Sequence, residues 1–371
     1  MRISANRARL QTPDIETDHD DARDSATDAG GVASPEFSVA RVALGCGNFG
    51  GIGSVPELFG QGLTDDQAFA LMDAAWDAGI DHFDTADAYG GGRSEQAIGR
   101  WIAARGVRPR LTTKTFNPMR AGADHGLKPE RIGRQLRASL DRLGVSAVDL
   151  YLAHDYDHAV PAAEWIGAFG AAQADGLISA YGVSNFSAAQ LGEAVRAGEI
   201  AAIQNGCSLL VRQDTAGVLR LCAQRGVAFL AFSPLAGGWL TGKYRRGEPY
   251  PDGSRMTQRP GPYRELETGR TFDVLDRLHA IATSRGTSLA GLALAWLLAD
   301  DRVSQIVIGP GRPEHLAPVR EALDHPLTAA ERRAVEEAVE PGPDSRLSSV
   351  SWSTPDCRGP HVVTSPRRGC C

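Results

Sequence analysis

The chain has 371 residues, 42% of them hydrophobic, and a formal net charge of −6. That is ample for one large core, and it leaves no basic surplus for neutralising nucleic-acid phosphates. No uninterrupted apolar stretch reaches the roughly 18 residues of a membrane span, and the six cysteines show no CxxC pair and no metal-ligand spacing, which fits a reduced cytoplasm.

In chain order, residues 1–36 carry Asp14, Glu16, Asp18, Asp20, Asp21, Asp24 and Asp28 with almost no large apolar side chain, so a disordered acidic tail is expected. The strand-like run "FSVARVAL" then leads into "LGCGNFGG", which contains GxGxxG at Gly45, Gly47 and Gly50. A dinucleotide fingerprint needs a helix beginning at those glycines to receive a pyrophosphate. The chain continues instead with "GIGSVPELFGQG", which has a proline and no helical repeat, so the nucleotide must be sought elsewhere. Periodicity returns at "TDDQAFALMDAAWDAG", with Thr64 as N-cap and Phe69, Met72 and Trp76 on one face.

Five times a glycine follows a helical segment and leads into a strand-like run: "GIDHFDTA", "GVRPRLTTK", "GVSAVDLYLAH", "GLISAYGVS" and "GVAFLAFS". Gly79, Gly106, Gly144, Gly176 and Gly226 suit the left-handed turn that ends a helix. Between them, "KPERIGRQLRASLDRLG" puts Ile132, Leu136, Leu140 and Leu143 on one stripe, and "DTAGVLRLCAQRG" aligns Val218, Leu221 and Cys222. With "VARVAL", "IAAIQN" and "SQIVIG" the chain has eight strands alternating with helices, which argues for a (β/α)₈ TIM barrel over residues 37–340. An open doubly wound sheet has the same periodicity. Residues 341–371, rich in Pro, Ser and Arg, read as a second disordered tail.

Asp84, Lys114, His154, Ser184 with Asn185, and Gln204 all stand near predicted strand ends, which converge on one mouth in a barrel. Taken singly, each is an ordinary loop hydrogen-bonder. Taken in order, "FDTADAYGGGRSEQAIG", "LTTK", "LYLAH", "GVSNF" and "IQN" resemble the aldo-keto reductase superfamily over residues 38–335. The resemblance implies a TIM barrel, a nicotinamide cofactor and carbonyl reduction, with "GCGNFGG" bordering the substrate side.

The family's catalytic tetrad corresponds to Asp84, Tyr89, Lys114 and His154. Reducing a carbonyl leaves charge on oxygen, which needs a proton donor and electrostatic support. The resemblance makes Tyr89 the donor, with Lys114 easing its ionisation, Asp84 neutralising Lys114, and His154 aiming the carbonyl oxygen. It further implies that Ser184, Asn185 and Gln204 bind the nicotinamide carboxamide and that Phe232 stacks on its ring. Ser233, Leu235, Gly237, Leu240 and Lys243 of "SPLAGGWLTGKY" would line the pyrophosphate with close-approach glycines and backbone N–H groups, while Gly309, Arg312 and His315 would serve the adenosine end. His315 and Val319 depart from the Gln or Arg and the Asn that relatives often carry. Arg312 favours NADP over NAD.

The reading is therefore an NADPH-dependent reductase of an aldehyde, ketone or sugar carbonyl, with no metal, nucleic-acid or membrane partner. A cofactor-binding sensor similar to potassium-channel β-subunits is the alternative. "TFNPM", "DYDHAVP" and "GEPYPDGSRMTQRPGPYRE" are the candidate substrate-lining loops. No feature of the sequence marks an oligomer interface.

Overall fold

A computed structural model describes residues 39–212 and 215–340; the two expected tails, 1–36 and 341–371, lie outside the described residues. Eight strands form the centre: β1 Val42–Gly45, β2 His82–Asp84, β3 Arg110–Thr115, β4 Val148–Ala153, β5 Ile178–Ser184, β6 Ala202–Gly206, β7 Ala228–Phe232 and β8 Gln305–Ile308. All pair in parallel and in chain order, and β8 returns to β1 through Val42 opposite Ile306 and Leu44 opposite Ile308. The sheet closes, so the expected barrel is present and the open sheet is excluded.

Helices Asp65–Asp77, Arg93–Arg105, Pro129–Leu143, Ala162–Ala174, Ala188–Ala197 and Thr215–Arg225 follow the first six strands in turn. β2 and β8 are buried along their whole length, because side chains fill the barrel on one face and helices cover the other. All five glycines expected to end helices take positive φ, between 66° and 82°. Ile132, Leu136, Leu140 and Leu143 are buried as the stripe required, and Val218 and Cys222 likewise, with Leu221 half-buried.

The first helix differs in detail. Thr64 caps it in a reciprocal box with Gln67, but its buried residues are Ala68, Leu71, Met72 and Ala75. Phe69 and Trp76 are half-buried at the edge of that face, where Trp76 meets Trp101 edge-on at 5.8 Å. Aromatic size drew the expected stripe off centre; alanines facing the barrel allow the helix its close approach.

After β7 the chain forms helices Gly269–Ser284 and Leu289–Leu298, and after β8 Ala317–Asp324 and Ala329–Val339. All ten residues of Leu289–Leu298 are buried, as an apolar all-round helix requires. Gly291 admits the neighbouring helix: a Cβ there would stand 2.5 Å from Glu321 Oε2.

Candidate active site

At the mouth, the ends of β2 and β3 bring Asp84 and Lys114 together. Lys114 is fully buried; its Nζ donates to Asp84 Oδ1 at 2.5 Å and to the Thr85 carbonyl at 2.8 Å. Burial alone would pull the ammonium down, but Asp84 and the Tyr89 oxygen outweigh it, and Lys114 is held above the usual lysine value. Gln204, at β6, donates from Nε2 to Asp84 Oδ2 at 2.7 Å. The carboxylate is thus held on both oxygens.

Tyr89 opens the 3₁₀ turn Tyr89–Gly92, in which Gly90, Gly91 and Gly92 all have positive φ. A Cβ on Gly90 would lie 2.8 Å from the Phe49 carbonyl, and one on Gly47 would lie 3.5 Å from the Tyr89 ring. The glycines of "GCGNFGG" therefore let the loop after β1 pack on the tyrosine. No helix starts there, as the sequence context required; the next turn is the short Pro56–Leu58.

The Tyr89 ring lies 5.1 Å from Lys114 Nζ, and its hydroxyl makes a long contact of 3.4 Å with His154 Nε2. Burial pushes the phenol above its usual value, and Lys114 only partly opposes this. Easing by Lys114 is real but is not the larger effect: the hydroxyl keeps its proton at neutral pH. His154, which follows β4, is held well below the usual histidine value by burial, with Lys114 and Arg259 adding to the effect. It is a neutral imidazole. Asn117 Nδ2 faces its Nδ1 at 3.2 Å, so donation there leaves the imidazole proton on Nε2, toward Tyr89.

Asn117 lies in the "TFNPM" loop, yet nothing in its spacing marks it as the partner of His154. Arg131, from helix Pro129–Leu143, fixes that loop by donating to the Asn117 carbonyl at 2.7 Å.

Asn185 takes a positive φ of 61° and donates from Nδ2 to the His154 carbonyl at 2.9 Å. Gln204 Nε2 likewise commits one of its two hydrogens, so each of these amides keeps one N–H and its oxygen for a ligand. Ser184 is buried beside them at the end of β5, and Phe232 is half-buried at the end of β7. Leu240 is fully buried, which leaves its backbone N–H, the group expected to serve the pyrophosphate, unaffected. The loop after β7 departs from expectation at Gly237. The bare face of Gly237 is covered by Tyr263, whose ring would stand 2.6 Å from a Cβ there and whose hydroxyl meets Ser233 Oγ at 3.1 Å. Leu235 is half-buried against the core.

At the far end, burial lowers the Lys243 ammonium, with repulsion from Arg255 and Arg312 adding to it. No carboxylate pairs with any of these three cations among the described residues. Arg312 Nε donates to His315 Nε2 at 3.0 Å, and burial followed by Arg312 and Lys243 holds that imidazole below its usual value. Gly309 has open space where a Cβ would be, whereas Val319 is a core residue. Three unpaired cations gathered at one end of the mouth fit a phosphorylated cofactor.

The aldo/keto reductase family pattern matches residues 41–340. Aldo-keto reductase yakc [NADP(+)] of Schizosaccharomyces pombe (strain 972 / ATCC 24843) is 28% identical over 277 residues, 72% of this chain and 81% of the yeast protein. L-glyceraldehyde 3-phosphate reductase of Escherichia coli (strain K12) is 35% identical over 277 residues, 69% of this chain and 78% of the bacterial one. The solved glycerol dehydrogenase AKR11B4 from Gluconobacter oxydans superposes with a TM-score of 0.70 at 27% identity, covering 83% of this chain and 95% of that one. The chain belongs to the aldo/keto reductase family and is an oxidoreductase that uses a nicotinamide cofactor. Among the described residues no helix is long and apolar enough to cross a membrane.

Proposed function

We propose that the protein interconverts a small carbonyl compound and its alcohol with NADP(H), Tyr89 being the proton donor in the reducing direction. The observation that carries this reading is the contact set around Tyr89: a protonated hydroxyl 3.4 Å from a neutral His154 and a ring 5.1 Å from the Lys114 ammonium. When bound, the reduced nicotinamide supplies hydride to the carbonyl carbon. Tyr89 passes its hydroxyl proton to the carbonyl oxygen, which completes the alcohol. The phenolate left behind faces Lys114, whose charge Asp84 has already balanced, so the buried mouth carries no uncompensated cation at rest. His154, with its proton on Nε2, offers a second donor to the same oxygen.

Ser184, Asn185 and Gln204 would receive the carboxamide, Phe232 the ring face, and the 233–243 segment the pyrophosphate. Lys243, Arg255 and Arg312 support NADP over NAD, as does the relative whose name carries NADP(+). Relatives named for glycerol and for glyceraldehyde 3-phosphate support a small, hydroxylated substrate.

The test is steady-state oxidation of NADPH over a panel of aldehydes, ketones and sugars, with wild type and Tyr89→Phe in parallel. Turnover that Tyr89→Phe lowers by about 10²-fold or more is expected. Tight NADPH binding with no turnover of any carbonyl would instead leave the sensor reading in possession.

A further inference from the structure

The loop after β7 passes through the short helix Arg255–Gln258 and then aims Arg259 across the mouth. Its Nη1 lies where a Cβ on Gly53 would be only 2.8 Å away, so the guanidinium rests on the bare face of a glycine in the loop after β1. Gly53 adjoins the donor. Its carbonyl accepts from the Gly90 amide at 3.1 Å, and its own amide donates to the Gly47 carbonyl at 2.6 Å; Gly90 follows Tyr89, and Gly47 packs on the Tyr89 ring.

The way this chain treats its other sequestered arginines sets Arg259 apart. Arg41 spends its guanidinium on the carbonyls of Leu298, Asp300 and Val303. Arg131 spends its own on Thr115, Gly126 and Asn117, and Arg142 pairs with Glu95. Arg259 is half-buried, yet among the described residues its guanidinium has neither an ion pair nor a hydrogen-bond partner. The titratable groups around it are Arg255, which repels it, and the hydroxyls of Tyr263 and Tyr89. A partly desolvated fork of donors with no acceptor is costly unless an incoming anion satisfies it. Arg255, four residues earlier, repels both Lys243 and Arg259, and Arg259 in turn acts on His154.

We propose that Arg259 recognises an anionic group, a carboxylate or a phosphate, on the carbonyl substrate, and so selects anionic carbonyl compounds over neutral ones. This rests on the reading of Tyr89 as the donor at that mouth, since it places the anion beside the reacting carbonyl. A planar guanidinium pairs with either oxyanion through two parallel N–H donors, which Lys at this position could not do.

Two measurements test it. In the first, full-length protein saturated with NADP⁺, so that the distal cations are occupied, is titrated calorimetrically with succinate, glycerol 3-phosphate and glycerol. Wild type should bind at least one anion about 10- to 100-fold more tightly than glycerol; Arg259→Ala should lose that margin and Arg259→Lys keep only part of it. Whichever anion shows the margin identifies the group. In the second, kcat/KM is compared for succinic semialdehyde, glyceraldehyde 3-phosphate and glyceraldehyde. Arg259→Ala should lose about 10- to 100-fold on an anionic aldehyde and under about 3-fold on glyceraldehyde, with an unchanged Kd for NADPH. Equal losses on charged and neutral aldehydes, a weakened NADPH complex without lost discrimination, or no anion preference in wild type each overturn the proposal. If wild type turns over no aldehyde at all, the reductase reading fails, while the calorimetry still decides whether Arg259 holds an anion.

Discussion

Gln204 donates from Nε2 to Oδ2 of Asp84 at 2.7 Å, across 120 residues of chain. A residue that family resemblance assigns to the nicotinamide also holds the counter-ion of Lys114. Gln204→Leu should therefore do more than weaken cofactor binding. Removing one donor from a buried carboxylate costs about 1–3 kcal/mol, so the urea midpoint of the cofactor-free protein should fall. Unchanged stability of the cofactor-free variant would show that the Asp84 contact contributes nothing.

For the proton donor, Tyr89→Phe keeps the ring against Lys114 and Gly47 and removes only the hydroxyl. The NADPH dissociation constant and melting temperature should barely move, while kcat for reduction should drop by about 10²-fold or more. Near-wild-type turnover would move the donor role to another group, His154 first.

How far these groups were legible depends on what places them. Gly79, Gly106, Gly144, Gly176 and Gly226 announced the barrel because each stands at a local backbone need, a left-handed helix end. Ile132, Leu136, Leu140 and Leu143 announced a buried face because periodicity is local too. Asp84, Lys114 and His154 fell at strand ends and Tyr89 in the motif that follows one, and the four meet in space. Asn117 and Arg259 were not legible as partners of His154 and Gly53, because each is delivered by a loop whose path is decided by distant contacts, such as the hold of Arg131 on the Asn117 carbonyl.

The motif's second acid carries a pH prediction. Asp87 is fully buried, accepts from Thr115 Oγ1 on Oδ2 at 2.8 Å, and has no hydrogen-bond partner for Oδ1. Burial pushes its carboxyl up to about 7, with Glu95 reinforcing and Arg131 opposing. In the unfolded chain an Asp loses its proton near pH 4. Between about pH 4 and 7 the native state thus binds one more proton at this site than the unfolded state does. The stability it provides is complete below that window and is lost as pH rises through it, with a slope of at most about 1.4 kcal/mol per pH unit. Asp87→Asn should remove this component. Urea unfolding of both proteins from pH 4.5 to 7.5 should therefore show wild type losing ground to the variant as pH rises; a constant difference would mean that Asp87 is ionised throughout.

Cofactor choice is tested at the distal cations. NADP differs from NAD by one 2′-phosphate, which a protein prefers when a guanidinium or ammonium can make charge-assisted hydrogen bonds to it. Arg255 and Arg312 both repel Lys243, and no carboxylate pairs with the three among the described residues, so a bound dianion would relieve that repulsion as well as gain hydrogen bonds. Arg312 is also steered: its Nε is spent on His315, which leaves the outer nitrogens of the fork for a ligand. His315 needs to be neutral to accept that bond, a form that burial, followed by Arg312 and Lys243, favours. Arg312→Ala should weaken NADPH by about 1.5–3 kcal/mol, the scale of a hydrogen bond to a charged group, and leave NADH nearly unchanged. Fluorescence titration with both cofactors reads this directly. Equal losses would put Arg312 on the part of the molecule the two share, whereas a selective loss in Lys243→Ala but not in Arg312→Ala would make the ammonium the 2′-phosphate ligand.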